Sequence, residues 1–250
     1  YRELDLDSNR MANTCLDLGV AKGDRVILFL PKSVIFVVAH LALQKIGAIA
    51  IPLNPGFKPW EMEYFIDDAK ARLVLSGSEQ QAVIKETDPK LSNLVMDTRR
   101  KYQDLDFFRS ASEDLSPVEI SPDDPGLIIY TSGTTGKPKG AVLTQNNLFH
   151  DAKNVIKIWE ITEFDVLCHA LPFFHVHGHA VVPLKVLPHF VLRTVAYVRR
   201  SHLGRCKGTP SHTDRTFGHG PRRRRGSPDV RSDSRTSGTK SRRFSGILDV

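Results

Sequence analysis

Five consecutive apolar positions, Val26 to Leu30, follow the turn Lys22-Gly23-Asp24 and end at Pro31. A run of that length, bounded by turn residues, predicts a buried strand. From Ser33 to Ile46 apolar residues then crowd every face before Gly47, as in a helix packed deep against a sheet. Ala48 to Pro52 is the next predicted strand, Asn54-Pro55-Gly56 a turn, and Pro59 to Ala69 a helix with acidic residues in its first turn. Arg72 to Leu75 is a third strand. Alternation of this kind predicts an α/β fold: a mostly parallel sheet with helices on its faces and ligands at the carboxyl ends of the strands.

The stretch from Lys85 to Asp124 is polar, with a short strand at Asn93 to Met96 and a turn-rich connection from Ser116 to Pro125. Order returns with an apolar strand at Leu127 to Tyr130, a glycine- and hydroxyl-rich loop at Thr131 to Gly140, and a strand at Ala141 to Leu143. Thr144 is placed to cap a helix reaching about Trp159, since its side-chain oxygen can accept from the free amides of the first turn. Val166 to Leu171 reads as a further buried strand, ended by Pro172.

Beyond Leu187 the pattern fails: 15 of the last 63 residues are hydrophobic, against 85 of the first 187. The chain is therefore expected to divide into a β/α part, residues 1–187, and an Arg/Ser/Gly-rich tail, 188–250, either disordered or translated out of frame. Charge divides at the same place. The net charge of +7 arises from 15 Lys and Arg against 4 Asp in the tail, leaving the first part slightly acidic. An arginine-rich nucleic-acid binder is thus a reading of the tail alone. The tail carries Arg222 to Arg225 but only a few scattered aromatic residues for stacking bases, so non-specific, salt-sensitive binding is all it implies.

The longest apolar stretch, Val34 to Leu43, is interrupted by His40 and falls short of a membrane span. The charged opening YRELDLDSNR has no apolar signal-peptide core, and Cys15, Cys168 and Cys206 fit neither a disulfide framework nor a metal knuckle. A cytoplasmic protein without a membrane partner is expected.

The loop at Thr131 to Gly140 holds the candidate chemistry. Gly133, Gly136 and Gly140 allow backbone amides to approach an anion closely, Ser132, Thr134 and Thr135 add hydroxyl donors, and Lys137 and Lys139 supply positive charge around Pro138. It is not a Walker loop, because only two residues separate Gly133 from Gly136 and a proline follows Lys137. A plain Gly/Thr turn is the bland reading, although four hydroxyl residues and two lysines in ten positions exceed what a turn needs.

The segment Tyr130 to Gly140, YTSGTTGKPKG, resembles the phosphate-binding signature of the adenylate-forming (AMP-dependent) acyl-CoA synthetase and ligase superfamily. Gly23-Asp24-Arg25-Val26, Gly47-Ala48, Pro52-Leu53-Asn54-Pro55 and Glu63-Tyr64 resemble its N-terminal region in order and spacing. The resemblance covers roughly residues 1 to 187 and implies the layered β/α N-terminal part of a ligase large domain. It implies that the loop grips ATP while a carboxylic acid attacks the α phosphorus, giving acyl-AMP and pyrophosphate, after which coenzyme A displaces AMP. ATP, Mg2+ and coenzyme A are the implied cofactors and co-substrates. Thr131, Ser132, Gly133, Thr134, Thr135, Gly136 and Lys139 are implied to touch phosphate, with Lys139 also catalytic, whereas Lys137 falls where the family varies.

His169, His175, His177 and His179 crowd eleven residues and invite a metal reading, but no carboxylate or cysteine at ligand spacing accompanies them. A packed or exposed histidine cluster is the plain alternative, and a metal hydrolase a third functional class. By resemblance, His175 stands at the mouth of the carboxylate pocket as a catalytic position, and His177 and Gly178 line that pocket. Phe-His-Val-His-Gly looks most like malonyl-CoA synthetases and favours a short or polar acid such as malonate. The superfamily's later adenine, ribose and magnesium motifs and its closing lysine do not follow Leu187. The expectation is an N-terminal fragment without activity of its own.

Overall fold

The computed structural model describes residues 2–131, 136–162 and 171–175. The predicted strand at 166–171 falls outside these except for its last residue, and the tail falls outside them entirely.

The chain opens with a helix that the apolar pattern does not reveal, α1 (Arg2–Asp17). Its buried positions include Asp7, Met11 and Cys15 on one line and Ser8 and Ala12 on the next, which is the helical i, i+4 spacing with polar residues in the buried places. Those polar groups are satisfied. The Tyr102 hydroxyl donates to the Asp7 carboxylate at 2.6 Å, Ser8 to the Asp5 carbonyl at 2.8 Å, and Thr14 to the Arg10 carbonyl at 2.9 Å.

Then follow β1 (Arg25–Phe29), α2 (Val34–Lys45), β2 (Ile49–Pro52), α3 (Pro59–Ala69) and β3 (Leu73–Gly77), the alternation expected, with ends shifted by a residue or two. α4 (Gln81–Thr87), β4 (Asn93–Met96) and the short α5 (Asp106–Ser110) follow. Both helices fall in or beside the stretch read as irregular, because each buries little: Ile84 in one and Phe108 in the other. β5 (Pro125–Thr131), β6 (Lys139–Thr144) and α6 (Gln145–Ile158) complete the described elements. Thr144 caps α6 as expected, its hydroxyl accepting from the Asn147 amide at 3.2 Å.

The six strands form one sheet in the order β4-β3-β1-β2-β5-β6, parallel except for the antiparallel β5–β6 pair. From β1 the chain steps one way to β2, then back past β1 to β3. Right-handed crossovers therefore place α2 and α3 on opposite faces. The packing agrees. One core gathers Met11, Cys15, Phe36, Val38, Leu43, Val26, Leu28, Leu73 and Leu75 beneath α1 and α2, and the other gathers Ile27, Phe29, Ile51, Val74, Met62, Phe65 and Ile84 beneath α3 and α4. Alternate residues of β1 feed opposite faces, as the strand pleat requires.

Residues 112–114 run along α1, where their carbonyls accept from Asn9 and Asn13 and Glu113 pairs with Arg10 at 2.5 Å. Lys22 pairs with Asp124 at 2.7 Å at the start of β5. Cys15 is a free thiol; burial pushes it up to about 12, which leaves it un-ionised and inert at neutral pH. No helix among the described residues is long and apolar enough to cross a membrane.

Candidate functional site

β5 and β6 are two arms of one hairpin. Their register runs from Pro125 opposite Thr144 to Thr131 opposite Lys139, with an irregularity between Pro125 and Leu127. The pairing closes the base of the glycine-rich loop, so Thr131 and Lys139, eight residues apart in sequence, face each other at its mouth. The Thr131 hydroxyl donates to the Lys139 carbonyl at 3.5 Å, a long bond. Because β5 is parallel to β2, and β2 to β1, this mouth lies at the carboxyl edge of the sheet, where ligands are expected.

Local chemistry explains the glycines that can be described. Gly136 has a φ of 88°, in the left-handed region, and nothing near it on the side where a Cβ would stand. Gly140 answers to space instead: a Cβ there would meet the Ile128 side chain at 2.9 Å and the Tyr130 ring at 3.4 Å. Lys137 and Lys139 are exposed, and neither pairs with a carboxylate among the described residues. Two exposed ammonium groups beside a backbone turn can neutralise an anion. Ser132, Gly133, Thr134 and Thr135 lie outside the described residues.

The loop mouth is held from α3. Tyr64 donates to the Pro138 carbonyl at 2.7 Å, and Tyr130 donates to the Asp68 carboxylate at 2.6 Å. The Phe65 ring meets Tyr130 edge-on at 4.8 Å and stacks on Phe57 at 5.1 Å. Burial, reinforced by the Asp68 charge, raises the Tyr130 phenol above its ordinary value and keeps it a donor. Among the residues quoted for the family resemblance is Tyr64, but neither it nor Asp68 figures among the sequence's candidate site residues. The only signal available was their spacing of four on one helix.

The histidine segment is anchored on the other face. Phe173 is buried and stacks on Phe36 in the first turn of α2 at 5.2 Å, with the Lys32 ammonium 5.2 Å from its ring centre. His175 is exposed, its ring 4.5 Å from that of Phe174. As α2 begins at the carboxyl end of β1, this segment and the loop mouth share one edge of the sheet but are secured from opposite faces. His177 and Gly178, with His169 and His179, lie outside the described residues. An open pocket of about 260 Å3 on the α1–α2 side, lined in part by Ser33, Met96, Arg100, Lys101 and Tyr102, shares no residue with the loop mouth.

No group of three or more metal-ligating side chains occurs among the described residues. The hydroxyl, amide and ammonium donors at the loop suit phosphate oxygens. They offer no carboxylate set for the implied magnesium ion among the described residues.

Comparison with known proteins agrees with this geometry. The family model described as AMP-binding enzyme matches residues 1–192. Oxalate–CoA ligase of Arabidopsis thaliana is 34% identical over 180 residues, covering 70% of this chain and 35% of that protein. The mitochondrial malonate–CoA ligase ACSF3 of Bos taurus is 33% identical over 188 residues, covering 71% and 31%. Among solved structures, ATP-bound MatB from Rhodopseudomonas palustris superposes with a TM-score of 0.67 at 35% identity, covering 74% of this chain and 37% of that one. The chain thus spans about a third of the length of the curated relatives it matches. With the α/β sheet, the hairpin loop and the sequence likeness in agreement over most of its length, the chain belongs to the AMP-binding enzyme family, in which its relatives include CoA ligases.

Proposed function

We propose that residues 1–187 form the phosphate-gripping part of an AMP-forming carboxylate–CoA ligase, followed in sequence by an arginine-rich tail, residues 188–250. The observation that supports this most directly is the β5–β6 hairpin, which sets Lys139, exposed and without a carboxylate partner among the described residues, opposite Thr131 at the carboxyl edge of the sheet. ATP is the anion that suits such a mouth. Thr131, Ser132, Gly133, Thr134, Thr135, Gly136 and Lys139 hold its β and γ phosphates while a carboxylate attacks the α phosphorus. The P–O bond to pyrophosphate breaks as the acyl–AMP bond forms, and the charge moving onto the leaving oxygens is met by fixed donors and the Lys139 ammonium. Coenzyme A then displaces AMP. His175 stands by the incoming carboxylate, and His177 and Gly178 line its pocket. A short or polar acid such as malonate is favoured, a reading supported by relatives whose names specify malonate and oxalate, although another relative is named for long-chain fatty acids. Reducing cytoplasmic conditions suit the free Cys15.

The 250 residues alone supply charge stabilisation but only about a third of the length over which relatives recognise their substrates. Negligible ATP–pyrophosphate exchange is expected from them with malonate; exchange well above a Lys139→Ala control would overturn that expectation. In a chimera completed by the C-terminal part of a homologous ligase, Lys139→Ala should lower the adenylation rate by roughly 100- to 1,000-fold, the usual cost of one charged transition-state contact. A loss within about threefold in a folded, active chimera would remove Lys139 from phosphate binding. His177→Ala should change which acid is preferred and leave ATP binding unaltered.

A further inference from the structure

We propose that Tyr64 and Asp68 of α3 are positioning residues that fix the mouth of the Thr131–Lys139 loop against α3, in the orientation needed to bind a polyphosphate. This rests on the phosphate reading of the loop given above.

The two side chains lie four residues apart and so share one face of α3. The neighbouring face of the same helix, Met62, Phe65 and Ala69, is buried with Ile27, Phe29, Ile51 and Val74 of the sheet, which makes α3 a fixed reference for anything tied to it. The ties reach the residue that precedes each of the two facing positions of the mouth. Tyr130, just before Thr131, donates to Asp68, and the carbonyl of Pro138, just before Lys139, accepts from Tyr64. The partners are separated by 62 and 74 residues in sequence, so neither tie is a product of local folding.

A general stabilising role explains this placement poorly. Six register pairs already join β5 to β6, and Asp68 is exposed. Losing either tie leaves the hairpin paired and the core filled. What it removes is a restraint on how the paired Thr131–Lys139 mouth is oriented against α3. A site that neutralises moving charge depends on that orientation, since preorganised donors act only when fixed in advance. Asp68 itself would repel phosphate. Its short hydrogen bond from Tyr130 engages it on the α3 side of the mouth.

The test titrates magnesium tripolyphosphate calorimetrically into the full 250-residue chain and into its Tyr64→Phe, Asp68→Ala and Lys139→Ala variants, with thermal unfolding of each. Tyr64→Phe keeps the ring and deletes only the donor; Asp68→Ala alters an exposed helical position. Each should weaken binding about five- to tenfold, the effect of one hydrogen bond, with Tm within about 2 °C of the parent. Hydrogen exchange at residues 136–142 should quicken in both variants and stay unchanged in β1. Parent-like affinity or parent-like exchange in Tyr64→Phe would overturn the positioning role while leaving the phosphate reading intact. A drop in affinity that merely tracks a lowered Tm would overturn it as well. If the parent chain and Lys139→Ala both ignore tripolyphosphate, the phosphate reading fails and the positioning role falls with it.

Discussion

α2 and α6 are of similar length and are buried very differently. In α2 nine consecutive residues, Ile35 to Leu43, are buried. In α6 only Leu148 and Ala152 are, while Phe149 and Ile158 remain exposed, the latter at 75%. Position in the sheet accounts for the contrast. α2 crosses between β1 and β2 at the centre, sandwiched between the sheet and α1. α6 leaves the outermost described strand, β6, most of whose residues are exposed, Val142 among them at 54%. The centre supplies most of the apolar burial, and the margin presents the loop, its lysines and its backbone groups. A rigid centre carrying a lightly packed margin is how loops come to bear binding chemistry, because groups that must meet a ligand cannot also be buried in a core.

The largest expected effect tests the centre. Phe36→Ala should cost about 3–5 kcal/mol in urea unfolding, since the ring is fully buried in the α1–α2 core and also stacks on Phe173. A cost below about 1 kcal/mol would mean that α2 is not the keystone its burial implies.

A smaller effect compares the two faces at high pH. Burial and the Asp7 charge raise the Tyr102 phenol on the α1 side, and burial and Asp68 raise Tyr130 on the α3 side. Unfolded, both would ionise near the ordinary value of about 10. Folded, they keep their protons longer, so the stability they contribute is complete below about pH 10 and is lost as pH rises through the folded values. Urea midpoints measured from pH 9 to 11.5 should therefore fall less steeply for Tyr102→Phe than for the parent chain. Equal slopes would show that the phenol is not held neutral by its surroundings.

The smallest effect belongs to the margin. Val142→Thr, at an exposed strand position that keeps a β-branched side chain, should move stability by no more than about 0.5 kcal/mol. A loss near that of Phe36→Ala would erase the contrast between centre and margin.

Residues near one another in sequence were enough to determine β1, α2, β2 and α3, because an unbroken apolar run between turn residues has few other ways to bury itself. Pro59 to Ala69 comes out at the ends expected, and β1 is displaced by one residue. The strands on either side of the Thr131 to Gly140 loop were likewise legible from their apolar runs, β5 and β6 lying where they were expected to within a few residues. α1 stayed hidden since Asp7, Ser8 and Thr14 occupy its buried side, and what makes Asp7 tolerable there is a hydroxyl 95 residues away. Strand order, the placement of α2 and α3 on opposite faces, and the grip of Tyr64 and Asp68 on the loop mouth were decided by tertiary structure alone. Each depends on contacts between residues far apart along the chain, and short-range pattern carries no information about which distant partner completes a hydrogen bond or shares a face.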